Sequence, residues 1–437
     1  MRFYSTAGQV KGVSFEEAVL QGLPFDGGLY LPETLPWFSL QQLKRGVGLS
    51  FLELSVELCT VLFEGVFTVE EVTKLCEEAF TFPLPLVAFP QRTHVLELFH
   101  GPTLSFKDVG CRFLGALLKK WSHKEQERIV LVATSGDTGS AVGQALRGIP
   151  GVRVFILYPK GRVTASQEQQ ITTIGRNVKA VQVDGSYEDC QNLVKQAVLD
   201  PELRQEAHVM TANSPNIARI LAQALYYFYA YSQLPEETEE VIFSVPCGNF
   251  GHLVSGMLAQ RMGLPVHRFL GATNVNNEVP LFLRSGVFRP HDAYPTIAVS
   301  MDVGNPSNFP RLLELYGGSL EKLRKDLLGL DFTDAQICQT IQEMFAAYGY
   351  LLDPHSATAY LALREYMKLE KREHTGIFFA TAHPAKFMES LTPLVSATIH
   401  VPDSLKATLS KPKSFLTIPP SFEALKELFY FKTTLSH

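Results

Sequence analysis

The chain predicts an α/β fold with open, mostly parallel sheets, and three observations carry that prediction. From Arg128 onward, short runs rich in β-branched residues alternate with stretches whose apolar residues recur at helical spacing. Two of those strands end in glycine-containing turns that lead directly into a helix, at residues 133–139 and 246–252. The first 90 residues lack the alternation and read as helix-rich instead. Element by element, Phe15 to Gln21 and Val69 to Phe82 are helical, with Asp26-Gly27-Gly28 turning between them. Val95 to Phe99 is a strand, broken by Gly101-Pro102, and Phe106 to Leu118 is the helix after it. Residues 129–134, 152–157 and 178–183 are strands, separated by helices at 141–147 and around 166–174. Asn216 to Ser232 is a helix whose cluster of Tyr226, Tyr227, Phe228, Tyr229 and Tyr231 suits core or inter-domain packing rather than ligand contact. Strand 241–245 and helix 253–261 reopen the α/β pattern. Pro412 to Pro420 reads as a surface crossing before a last helix, Ser421 to Phe431.

Three runs carry chemistry. Residues 96–108, Leu-Glu-Leu-Phe-His-Gly-Pro-Thr-Leu-Ser-Phe-Lys-Asp, place Lys107 at a strand-to-helix junction beside Phe106, Thr103 and Ser105. Such surroundings desolvate an amine and lower its pKa, as a Schiff-base lysine requires. Taken alone, the run reads more readily as a solvated lysine in a first helical turn; two further runs reverse that. Ala-Thr-Ser-Gly-Asp-Thr-Gly, residues 133–139, follows a strand and opens a helix expected near Ser140, so free amides and a positive dipole end converge with the hydroxyls of 134, 135 and 138. No lysine follows and the spacing is not Gly-x-Gly-x-x-Gly, so a carboxylate suits this turn better than a nucleotide. Ser-Val-Pro-Cys-Gly-Asn-Phe-Gly-His, residues 244–252, repeats the device at a second helix and suits a phosphate. One activated lysine with two anion-binding turns suggests a cofactor bearing an aldehyde and a phosphate, with a substrate carboxylate alongside. Pyridoxal 5'-phosphate (PLP) has those handles.

Composition narrows the class. The chain has 437 residues, 46% hydrophobic and 19% charged, enough for large cores and two or three domains. A net charge of −5 gives no reason to expect nucleic acid or an anionic membrane as partner. No apolar run reaches spanning length and the start lacks a signal-peptide core, so a cytoplasmic protein is expected. The six cysteines and twelve histidines show no metal-ligand spacing, so no metal is expected; His100, His252 and His383 read as supporting or core residues.

The ordered motifs resemble the threonine synthase family of the bacterial and fungal type, and within it are most similar to the threonine synthase-like 2 branch. The resemblance runs from Met1-Arg2-Phe3-Tyr4-Ser5-Thr6 through Ser14 to Val19, Asp26 to Tyr30, the Lys107 run and the 134–139 turn. It continues through Asn213 to Arg219, Gly248 to Gly251, Ala272 to Asn276, Ser300-Met301-Asp302, Asp353-Pro354-His355 and Ala380 to Phe387. It implies the PLP fold-type II architecture (tryptophan synthase β-like), with two open α/β domains and a helix-rich N-terminal domain at 1–90. The catalytic region would be 91–437, with a small mobile domain at about 130–215. It further implies that Lys107 carries the cofactor and moves protons, and that Gly248, Asn249, Phe250, Gly251 and His252 hold its phosphate. Asp137 would lie near its phenolic oxygen as a neutral acid or proton relay, and Thr381 would meet the pyridine nitrogen. Thr103, Ser105, Thr134, Ser135, Gly136, Thr138, Asn213, Asn216 and Lys386 would meet the substrate. Lys386 is the pick for the substrate phosphate over Arg162, Arg176, Arg219 and Arg311.

Small phosphorylated amino acids are therefore the expected partners, in a monomer or homodimer. Pro215, Cys247 and Ser105 depart from the family's usual Ile, Ser and Ala. On that ground the sequence reads as a phospho-lyase, turning O-phosphohomoserine or O-phosphothreonine into 2-oxobutyrate, ammonia and phosphate. Threonine synthase is the alternative, and a catalytically retired binding or signalling protein the third reading.

Overall fold

A computed structural model describes residues 1–122, 126–238, 240–370 and 373–430. The N-terminal region is less purely helical than its pattern predicts. Val13–Ser14, Arg2–Ser5 and Tyr30–Pro32 form a three-stranded antiparallel sheet. Strands of two to four residues are too short for alternation to reveal. The helices follow capping boxes visible in the sequence: Ser14 with Glu17 starts Phe15–Gln21, Ser50 with Glu53 starts Phe51–Leu62, and Thr68 with Glu71 starts Val69–Ala79.

Beyond residue 85 the chain builds two further sheets. The six-stranded one runs in the order Leu327–Asp331, Val266–Thr273, Val241–Pro246, Thr375–Ala380, Thr93–Glu97, Leu86–Phe89. All neighbours are parallel except Leu86–Phe89, which is antiparallel to Thr93–Glu97. The five-stranded one is parallel throughout: Phe415–Ile418, Val178–Val183, Val152–Pro159, Arg128–Ala133, Met210–Thr211. Phe415–Ile418 corrects the expectation of a mere surface crossing. It pairs with Ala180 to Val183, but only Ile418 is buried, so it carries no apolar alternation. The last helix is Phe422–Tyr430; Phe431, its expected end, lies outside the described residues.

Helix Ile217–Ser232 packs against the helices Lys107–Trp121 and Gly251–Arg261. Its tyrosines are core, as expected: Tyr226 and Tyr227 are fully buried, with the Tyr227 ring 4.8 Å from that of Phe379 and 5.0 Å from that of Phe243. Among the described residues no helix is long and apolar enough to cross a membrane. What positions the site is the parallel order. In open α/β sheets ligands bind beyond the carboxyl ends of strands. Here the ends at Ala133, Pro246 and Ala380, from both sheets, run into segments that share one cavity.

Candidate active site

Lys107 is the first residue of helix Lys107–Trp121. The segment before it is stitched to the segment after strand Thr375–Ala380. Leu98 N–H donates to the Ala380 carbonyl, Phe106 N–H to Thr381, His383 N–H to Leu104, and Ser105 bridges Ala382. Asp108 fastens the other side by accepting the Thr103 N–H at 2.9 Å and the Thr103 hydroxyl at 2.7 Å. Gly101 is required there, since a Cβ would stand 2.5 Å from an Asp108 oxygen. The lysine amine ends 4.6 Å from the Phe106 ring centre and 3.9 Å from Asp137 Oδ2. Burial lowers its pKa to about 8, although the Asp137 carboxylate pulls the other way.

The turn after Ala133 enters its helix at Asp137, three residues earlier than expected. Thr134 is buried and ties the turn internally: Oγ1 accepts the amides of Gly136 and Gly139 and donates to the Gly136 carbonyl. Ser135, Asp137 and Thr138 are left facing the cavity. Asn213 joins them there, its amide pairing with both backbone groups of Ala133. Asp137 is not a neutral acid. Burial favours its protonation, yet Lys386 at 2.7 Å, Lys107 and the Gln167 amide at 2.9 Å hold it well below the usual carboxylate range.

The second turn presents a run of free amides. Phe250 adopts a left-handed conformation (φ 60°) that aims successive amides to one side before helix Gly251–Arg261. The N–H groups of Gly248, Asn249, Phe250, Gly251 and His252 donate to no described residue. Gly248 fits because a Cβ would meet the Met301 Cα at 3.0 Å. Asn249 is fixed by the Ser307 amide and hydroxyl, both donating to its Oδ1. His252 stacks on Phe106 with ring centres 4.9 Å apart, neither ring nitrogen has a partner, and burial pushes its pKa down to about 3, so it is neutral. Thr381 lines the same cavity, its N–H held by the Ser356 hydroxyl.

Lys107, Ser135, Asp137, Thr138, Asn213, Gly248 to His252 and Thr381 thus converge. Thr103, Ser105, Thr134, Gly136, Asn216 and Lys386 do not line the cavity, because each is spent on the scaffold. Thr103 serves Asp108, the Ser105 main chain bridges Ala382 while its hydroxyl accepts the Lys107 N–H at 3.4 Å, and Gly136 packs on Gln167. Asn216 caps helix Ile217–Ser232 and donates to the Val19 and Thr211 carbonyls. Arg311 is likewise consumed, by the carbonyls of Tyr30, Ser214 and Pro215. Arg219 differs. It is buried on the cavity wall, Nη1 donates to the Ala212 carbonyl, and among the described residues Nε has no partner and no carboxylate pairs with it. Its charge is open to an anionic ligand. Tyr187 and Gln223 also line the cavity without a local signal to announce them, and His355, from the Asp353-Pro354-His355 motif, lines it too though it is not among the expected site residues.

An unpaired cation, an activated amine and two amide-rich turns fit PLP together with an anionic substrate. The comparisons with known proteins agree. The family model described as "Pyridoxal-phosphate dependent enzyme" matches residues 86–379. Those described as "Threonine synthase N terminus" and "Threonine synthase, C-terminal" match 2–80 and 356–428. Threonine synthase of Escherichia coli (strain K12) is 41% identical over 429 residues, covering 98% of this chain and 99% of its own.

The chain belongs to the threonine synthase family.

The crystal structure of the Escherichia coli threonine synthase superposes with a TM-score of 0.92, covering 98% of this chain and 99% of that one at 40% identity. The PLP-bound threonine synthase from Brucella melitensis superposes at 0.88, with 33% identity and 98% coverage of both chains. These relatives carry the synthase name rather than that of the threonine synthase-like 2 branch expected from sequence. The fold is PLP fold-type II and the protein is a PLP-dependent lyase acting on phosphates.

Proposed function

We propose that this threonine synthase family member converts O-phosphohomoserine and water to threonine and phosphate. The observation that carries this reading is Arg219, a buried cation on the wall of the cavity that holds Lys107, with which no carboxylate of the described residues forms an ion pair. A phosphate ester supplies the missing charge. Bound PLP supplies the electron sink that makes the substrate's Cα and Cβ hydrogens removable. The amides of residues 248–252 would hold the cofactor phosphate, with the neutral His252 ring fixed at that turn by its stack on Phe106. Ser135 and Thr138 orient the substrate carboxylate, with the ionised Asp137 at the helix start. Lys107, with its pKa near 8, takes and returns protons along the substrate chain. Thr381 offers a hydroxyl where a carboxylate would deepen the electron sink, which favours elimination chemistry over transamination.

The phospho-lyase reading loses its support at the residues that motivated it. Pro215 turns its carbonyl to Arg311, Cys247 donates its Sγ–H to the Val245 carbonyl, and Ser105 sits in the bridge to Ala382. None of the three lines the cavity at Lys107, so none removes a donor from it. The full-length relatives named threonine synthase weigh the same way. Product analysis with O-phosphohomoserine in ¹⁸O-water tests the proposal. Threonine and phosphate in equal amounts, with one labelled oxygen in the threonine, are expected; 2-oxobutyrate and ammonia as main products would restore the phospho-lyase.

A further inference from the structure

Lys386 is a buried cation that the reaction as described does not use. Its Nζ lies 2.7 Å from Asp137 Oδ1 and 2.8 Å from the Thr103 carbonyl oxygen, and its side chain is wholly out of solvent. The other oxygen of that carboxylate is 3.9 Å from Lys107 Nζ. One carboxylate therefore stands between two lysines and is committed to the one that does no chemistry. The commitment is built in from several sides. Gln167 donates to the same Oδ1, and the Lys386 carbonyl accepts from Thr164, which caps the helix carrying Gln167. With Oδ1 held by two donors, turning the carboxylate toward Lys107 means breaking a buried ion pair.

We infer that Lys386 is a positioning residue: it holds the Asp137 carboxylate away from Lys107 and so leaves the Lys107 amine uncharged for its work. The inference rests on Lys107 being the residue that carries PLP. Only the free base has a lone pair for the aldehyde carbon. As the C=N bond forms, the carbonyl oxygen departs as water with the two amine hydrogens. The charged and titratable groups facing Lys107 are Asp137, Lys386, Arg219 and the Cys111 thiol, with His252 neutral beside them. Two cations thus oppose a single carboxylate. Removing Lys386 releases that carboxylate to pair with Lys107 and protonate it.

The test uses the full chain freed of cofactor, as wild type, Lys386→Met and the double variant Lys386→Met/Asp137→Asn. The rate of capture of added PLP is followed against pH, scored as borohydride-fixed label on the Lys107 peptide. Lys386→Met should move the midpoint up by about one pH unit or more, slowing capture at pH 7 about tenfold. The double variant, with both charges gone, should return to the wild-type midpoint or below. Asp137→Asn alone should lie below wild type, which keeps the test decisive if Lys386→Met does not fold. An unchanged midpoint in Lys386→Met, or a double variant as high as the single one, overturns the inference. So does an unchanged midpoint with a raised KM for O-phosphohomoserine, which would make Lys386 a substrate-phosphate ligand. Label missing from Lys107 in the wild type would instead sink the attachment itself.

Discussion

At the residue scale the site works by placing charges that lack local partners. Arg219 keeps an open cation in a buried wall, and truncating a buried charged partner of a bound anion costs about 2–5 kcal/mol. Arg219→Gln should therefore raise KM for O-phosphohomoserine by roughly 30-fold or more. Its PLP dissociation constant, measured by quenching of protein fluorescence, should stay close to wild type. Equal losses in both would assign Arg219 to the cofactor phosphate instead. The Lys107 amine has a pKa lowered to about 8, so its free-base fraction rises about tenfold per pH unit below that value and levels off above it. PLP capture by the wild-type chain should follow that curve; a rate flat between pH 6 and 9 would contradict it. Thr381 lines the same cavity and carries a hydroxyl rather than a carboxylate. Thr381→Asp should leave PLP attached at Lys107 but cut turnover about tenfold or more, a loss of at least ~1.4 kcal/mol of transition-state stabilisation. Unchanged turnover and product ratio would remove Thr381 from contact with the pyridine ring.

At the element scale, strand-to-helix turns line the cavity and glycines set how closely backbones approach. Gly263 shows the cost of losing that freedom away from the site. Its φ is +104°, and a Cβ would stand 2.2 Å from the Phe38 carbonyl, where the N-terminal region meets the end of helix Gly251–Arg261. Gly263→Ala should destabilise the fold by at least ~1–3 kcal/mol, read as a lower denaturation midpoint, with the Lys107 titration unchanged. A wild-type midpoint would show that the Phe38 segment is free to yield. The turns at 133–139 and 246–252 were legible as candidate ligand loops because strand, glycine and helix start are contiguous in the chain, and both reach the cavity. Which hydroxyl faces that cavity was not legible. Thr134 and Ser135 are adjacent and chemically alike, but Thr134 ties the turn while Ser135 faces the cavity.

At the scale of the whole molecule, the five-stranded sheet is completed from the far end of the chain. Phe415–Ile418 adds its edge strand, and helix Phe422–Tyr430 buries Leu425 and Phe429 against it. Ending the chain at Ser414 should raise amide exchange across Val178–Val183 and Tyr187–Leu199 while sparing the six-stranded sheet. Uniform protection would mean the edge strand is dispensable. The sequence by itself determined the fold class and the family, and it singled out Lys107 and the two strand-to-helix turns that the fold brings to one cavity, because each is encoded in contiguous residues of telling type and spacing. Tertiary structure alone decided how the remaining charges are spent. Arg311 and Arg219 were alike in the sequence as candidate phosphate ligands, yet the first is consumed by three carbonyls and the second is left open. Lys386 read as a phosphate ligand, but packing brings it against Asp137, remote from it in the chain. A side chain's charge belongs to its residue; whether that charge is compensated depends on neighbours that only folding brings together.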